Sequence, residues 1–80
     1  MFEIGQTVLV TGDWENNNTN GKLGVILGSW SSYYNIGFFN KLKMSNSDGR
    51  RYVDKYPDVK SIWWVKSCLI KSPVSKNKFK

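Results

Sequence analysis

Residues 2–28, FEIGQTVLVTGDWENNNTNGKLGVILG, decide how this chain folds. Val8 and Val10 recur at period two after the turn residue Gly5, which predicts a half-buried strand over residues 7–11 with Leu9 on its other face. Residues 12–21 are polar except for Trp14. Asn and Gly tolerate left-handed backbone, and Asn side chains compete for backbone hydrogen bonds, so this Asn-rich run predicts a loop with a mobile tip. The chain then turns apolar again at Leu23-Gly24-Val25-Ile26. A glycine inside such a run signals close backbone approach or a bulge, the device by which a short sheet curls onto itself.

Outward from this stretch, the pattern continues as strands. The second runs over residues 22–30, and Ser31-Ser32 turns it into a third over 33–39. Tyr34, Ile36 and Phe38 form the core face of that strand, because the opposite set of Tyr33, Asn35, Gly37 and Phe39 contains a polar member. Residues 40–60 carry turn signals at Ser47-Asp48-Gly49 and Tyr56-Pro57-Asp58. They are expected to form an inserted excursion, with residues 41–44 pairing against 50–53. Ile62-Trp63-Trp64-Val65 returns to strand character, a 3-10 turn follows over 66–69, and a last short strand occupies 69–71. The expected architecture is all-β: a five-stranded barrel over residues 1–72, with a basic excursion between strands three and four and a disordered basic tail over 73–80.

Composition narrows the chemistry. Four Trp, four Tyr and four Phe in 80 residues supply enough buried area, on the order of 150–250 Å² per ring, for a small core without metal or disulfide. One cysteine, Cys68, permits no internal disulfide and reads as a small buried hydrophobe. The absence of histidine removes Cys/His zinc sites and His-based acid–base or nucleophilic catalysis. Asp48, Asp54 and Asp58 sit among bases near turns, where capping and ion pairing account for them, and no phosphate-cradling glycine loop is present. No enzyme activity and no cofactor are expected. The opening Met-Phe-Glu-Ile-Gly has no signal character, and no apolar run approaches the ~18 residues of a membrane span. A cytoplasmic protein without a membrane partner is expected.

The +6 net charge is unevenly spread. Residues 1–40 carry Lys22 against Glu3, Asp13 and Glu15, a sum of −2, whereas residues 41–80 carry eleven bases against three acids, a sum of +8. Such polarity favours an anionic partner on one side of the molecule.

The order Ile4-Gly5-Gln6-Thr7-Val8-Leu9-Val10, followed by Gly21-Lys22-Leu23-Gly24-Val25-Ile26, resembles the KOW motif of SH3-like barrels in ribosomal and transcription-elongation proteins. The aromatic strand over 33–39 and the ending from Trp63 to Leu69 look like small barrels of short bacterial and bacteriophage proteins. The resemblance covers residues 2–71 in outline. It implies an SH3-like barrel that binds RNA, DNA or protein. The long first loop and residues 40–60 depart from the compact pattern. Lys, Asn and Ser account for 27 of the 80 residues, a bias that suits an AT-rich genome such as that of a bacteriophage or low-GC bacterium.

Two candidate surfaces follow. Lys41, Lys43, Arg50, Arg51, Lys55 and Lys60, interleaved with Tyr52 and Tyr56, form a strip suited to phosphates and stacked bases of DNA or RNA. Charge runs also serve simply to keep a loop soluble. The alternative is a protein-binding surface, suited to a host protein, on Trp30, Tyr33 and whichever of Trp63 and Trp64 faces outward, since neighbours on a strand point to opposite faces. Asp13-Trp14-Glu15 resembles the acidic aromatic loop of proline-peptide-binding SH3 domains, but fewer strands follow Trp63-Trp64 here than in those domains. The oligomeric state is expected to be a monomer or a weak homodimer paired through a barrel edge.

Overall fold

The computed structural model describes residues 2–47 and 54–73. Five strands, β1 (Thr7–Val10), β2 (Leu23–Trp30), β3 (Tyr33–Phe38), β4 (Ser61–Lys66) and β5 (Ile70–Lys71), form one antiparallel sheet in the order β4-β3-β2-β1-β5. A single 3-10 turn, Ser67–Leu69, joins β4 to β5. The sheet curls into a half-barrel, and no α-helix occurs among the described residues. The expected strands lie within a residue or two of those observed, because each carries a period-two apolar pattern bounded by turn residues.

The inner face holds the main core of Val8, Val10, Ile26, Ile36, Phe38, Leu42, Val65 and Ile70, with Phe2, Trp14, Tyr34, Trp63 and Leu69 packed against it. Burying each of the larger side chains stabilises the fold by roughly 1.5–3 kcal/mol. Tyr34 seals one end. Its ring meets Phe2 edge-on at 5.5 Å, and its hydroxyl accepts a hydrogen bond from the Phe2 amide at 3.2 Å.

Gly24 is where the sheet closes tightest. A Cβ there would lie 2.5 Å from Ile36 Cγ2 and 2.8 Å from the Gly37 carbonyl oxygen, so the close approach expected at this glycine is present. The bulge lies three residues further on. Ile26 pairs with Ile36 and Gly28 with Asn35, leaving Leu27 as the extra residue. Leu27 turns to the outer face and is buried there with Val25 and Ile62, against Phe39, Tyr56 and Val59.

The connection between β3 and β4 therefore covers part of the outer face. Residues 41–44 do not form the expected hairpin arm. They run in irregular conformation, and their amides are satisfied by side chains: Leu42 N–H donates to Ser61 Oγ, Lys43 N–H to Asn18 Oδ1 and Met44 N–H to Asn17 Oδ1. Ile62 N–H donates to Ser45 Oγ, and Asn46 N–H to the Ile62 carbonyl. This segment thus occupies the outer edge of β4, an edge that would otherwise offer unpaired backbone groups. The expected partner arm, residues 50–53, and most of the tail lie outside the described residues.

Candidate functional site

The Asn-rich run is a loop, as its composition predicts, and two of its side chains pack into the protein. Asn17 and Thr19 are completely buried. Thr19 Oγ1 accepts from the Trp14 amide at 2.9 Å and donates to the Gly12 carbonyl. Asp13 caps the Asn20 amide at 2.9 Å, and the Asn17 amide donates to the Trp14 carbonyl at 3.1 Å. Glu15 and Asn16 take left-handed backbone, φ 57° and 62°. For Glu15 that costs on the order of 1 kcal/mol, which the surrounding bonds sustain. The corner packs Trp14 against the core and leaves Glu15 beside it, exposed.

Those two residues form one wall of a groove of about 390 Å³ that Trp30, Tyr33 and Trp64 complete. Trp14 and Tyr33 are in contact, with ring centroids 6.0 Å apart and planes tilted by 53°. Trp30 and Tyr33 are directly opposed cross-strand partners, Asn35 opposes Trp64, and Tyr33 also opposes Lys66. Opposed residues share a sheet face, so Trp30, Tyr33, Trp64 and Lys66 all belong to the outer face.

The Leu27 bulge creates this grouping. In an unbroken ladder Trp30 would share a face with Gly24 and Ile26, on the core side; the extra residue reverses that parity and turns Trp30 outward. Ser31, at φ 56°, closes the turn between Trp30 and Tyr33. The Ser32 carbonyl in turn accepts from the Ser67 amide at 2.7 Å, which ties the hairpin end to the 3-10 turn.

The sequence left open which of the two adjacent tryptophans enters the barrel. Trp63 packs on the main core, its indole N–H buried without a partner among the described residues, while Trp64 lines the groove. Trp30 is 71% exposed. Trp14 and Glu15 were absent from both candidate surfaces. The available signal was the Asp13-Trp14-Glu15 run, two acids around a solitary indole in an otherwise polar loop.

Of the basic set, Lys41, Lys43, Lys55 and Lys60 are exposed. The Leu42–Ser61 hydrogen bond brings the backbone carrying Lys41 and Lys43 to that carrying Lys60, at the start of β4. Lys66 and the groove lie at its other end. Tyr56 is half-buried and packs against Val25, Leu27 and Ile62, with its hydroxyl oxygen 3.1 Å from where a Gly5 Cβ would stand. Arg50, Arg51 and Tyr52 fall outside the described residues. Cys68, expected to be buried, is exposed, because it sits in the 3-10 turn whose neighbours Leu69 and Ile70 turn inward instead.

Among the described residues no cluster of three or more His, Cys, Asp or Glu side chains is arranged to hold a metal ion, and no helix is long and apolar enough to cross a membrane. No family model, curated protein or solved structure matches the chain.

Proposed function

We propose that this chain is a small, non-enzymatic binding module of the SH3-like kind that holds a segment of a partner protein in the groove of Trp14, Glu15, Trp30, Tyr33 and Trp64. The strand order, with β1 between β2 and β5 and a 3-10 turn leading from β4 to β5, supports the SH3-like reading. One observation carries the function: four aromatic rings, one from the loop after β1 and one each from β2, β3 and β4, converge on one groove, and one of them, Trp30, is largely in solvent. Tryptophan and tyrosine in a pocket are the side chains that most often dominate protein association. Affinity capture from a nuclease-treated cell lysate tests this. A specific protein retained by the native chain and lost with Trp30→Ala supports it, and retention unaffected by the substitution removes it.

A second reading rests on the segregation of charge. The backbone carrying Lys41 and Lys43 lies beside that carrying Lys60, at the end of β4 away from the groove, which supports phosphate binding to DNA or RNA at that end, with Lys55, Arg50 and Arg51 as further contacts and Tyr52 or Tyr56 stacking. Neutralising about six phosphates gives a log–log salt slope near −5 on duplex DNA. A slope near zero removes this reading.

A further inference from the structure

We infer that the groove is a cage for an alkylated ammonium group, such as a methylated lysine side chain, on the partner chain; the inference rests on the protein-binding reading of this groove. Its wall consists of three indoles, one phenol and a single carboxylate, that of Glu15. The faces of aromatic rings carry negative charge density and attract cations, most strongly when the cation sheds little water to reach them. A carboxylate beside such rings adds attraction for a cation and repels phosphates and carboxylates. Lys66 is the opposing charge, directly across from Tyr33 on β4. Glu15 and the ring faces must outweigh it.

Two features select among cations. The Trp14 and Tyr33 planes are tilted by 53°. A planar guanidinium cannot lie flat on both, whereas a compact, nearly spherical ammonium touches both. Secondly, the side chains of the wall offer few acceptors, the Glu15 carboxylate and the Tyr33 hydroxyl. Guanidinium brings five N–H donors and an unmodified lysine three, which must be hydrogen-bonded or left hydrated. A trimethylated ammonium brings none. The groove therefore fits a cation whose surface is mostly methyl groups.

The test uses blocked tripeptides carrying trimethyllysine, its uncharged tert-butyl carbon isostere, lysine or arginine, titrated into the ¹⁵N-labelled full chain. The indole N–H signals of Trp14, Trp30 and Trp64 report the groove, and that of Trp63, packed on the core, is the internal reference. The trimethyllysine peptide is expected to shift the three groove signals saturably and leave Trp63 unmoved. The carbon isostere, lacking the charge, should bind roughly threefold to thirtyfold more weakly. Glu15→Gln should weaken the trimethyllysine peptide severalfold while leaving the isostere unchanged.

Equal binding of the isostere, or tighter binding of the arginine peptide, overturns the inference while leaving a protein-binding groove in place. A groove response to a single-stranded oligonucleotide and to none of the peptides overturns both. If no probe moves the groove signals at millimolar concentration, the cage is refuted, and Trp30-dependent protein capture then decides the broader reading by itself.

Discussion

The side-chain amide of Asn17 and the backbone of Met44 exchange two hydrogen bonds of 2.9 Å each, across 27 positions of sequence. In doing so Asn17 imitates one residue of a neighbouring strand, and it fastens the groove-bearing loop to the segment along the edge of β4. Asn17→Ala is expected to destabilise the fold by roughly 1–3 kcal/mol, because two hydrogen bonds made by a fully buried side chain are lost. Urea denaturation checks this. A loss below about 0.5 kcal/mol would mean that the pairing contributes little.

Gly24 and Gly28 lie on the same strand and make opposite predictions. A methyl group at Gly24 meets Ile36 and the Gly37 carbonyl, whereas one at Gly28 meets nothing within 4 Å. Gly24→Ala should cost about 1–3 kcal/mol by overpacking. Gly28→Ala should be neutral or stabilising by up to about 1 kcal/mol, since it restricts the unfolded chain. Thermal denaturation of the pair settles the ranking.

Leu27 and Trp30 separate folding from binding. Leu27 is 1% exposed and Trp30 71% exposed. Leu27→Ala is expected to remove roughly 2–5 kcal/mol of stability. Trp30→Ala should change stability by less than about 1 kcal/mol yet abolish capture of a protein partner. Denaturant midpoints and pull-down on the same two variants provide the comparison.

The basic end of β4 has its own signature. Replacing Lys41, Lys43 and Lys60 together with Ala should make the log–log salt slope of duplex DNA binding shallower by about 3, one phosphate contact for each. An unchanged slope would show that these lysines do not meet phosphates.

The strands were legible because each announces itself locally. Val8 and Val10 alternate with outward residues, and Tyr34, Ile36 and Phe38 do the same. The Asn-rich run was legible as a loop, but the burial of Asn17 was not, for a physical reason: asparagine is equally suited to a solvated turn and to standing in for a backbone, and the choice depends on whether Met44 arrives beside it. Residues 41–44 were misread in the same way, since their hydrogen bonds go to side chains of the loop and β4 rather than to a paired strand. The groove was half legible. Trp30, Tyr33 and the Trp63-Trp64 pair drew attention as aromatic neighbours, but the side each faces is set by pairing register, and the bulge that fixes the register is a tertiary event.

The number of residues between Ile26 and Trp30 is what aims the exposed tryptophan, more than the identity of any of them. Loss or gain of a single codon there would leave strand length, hydropathy and charge almost untouched while swinging Trp30 to the opposite side. A change in which side chain the outer face presents is thus available through frame-preserving insertions and deletions that a comparison of composition would never register.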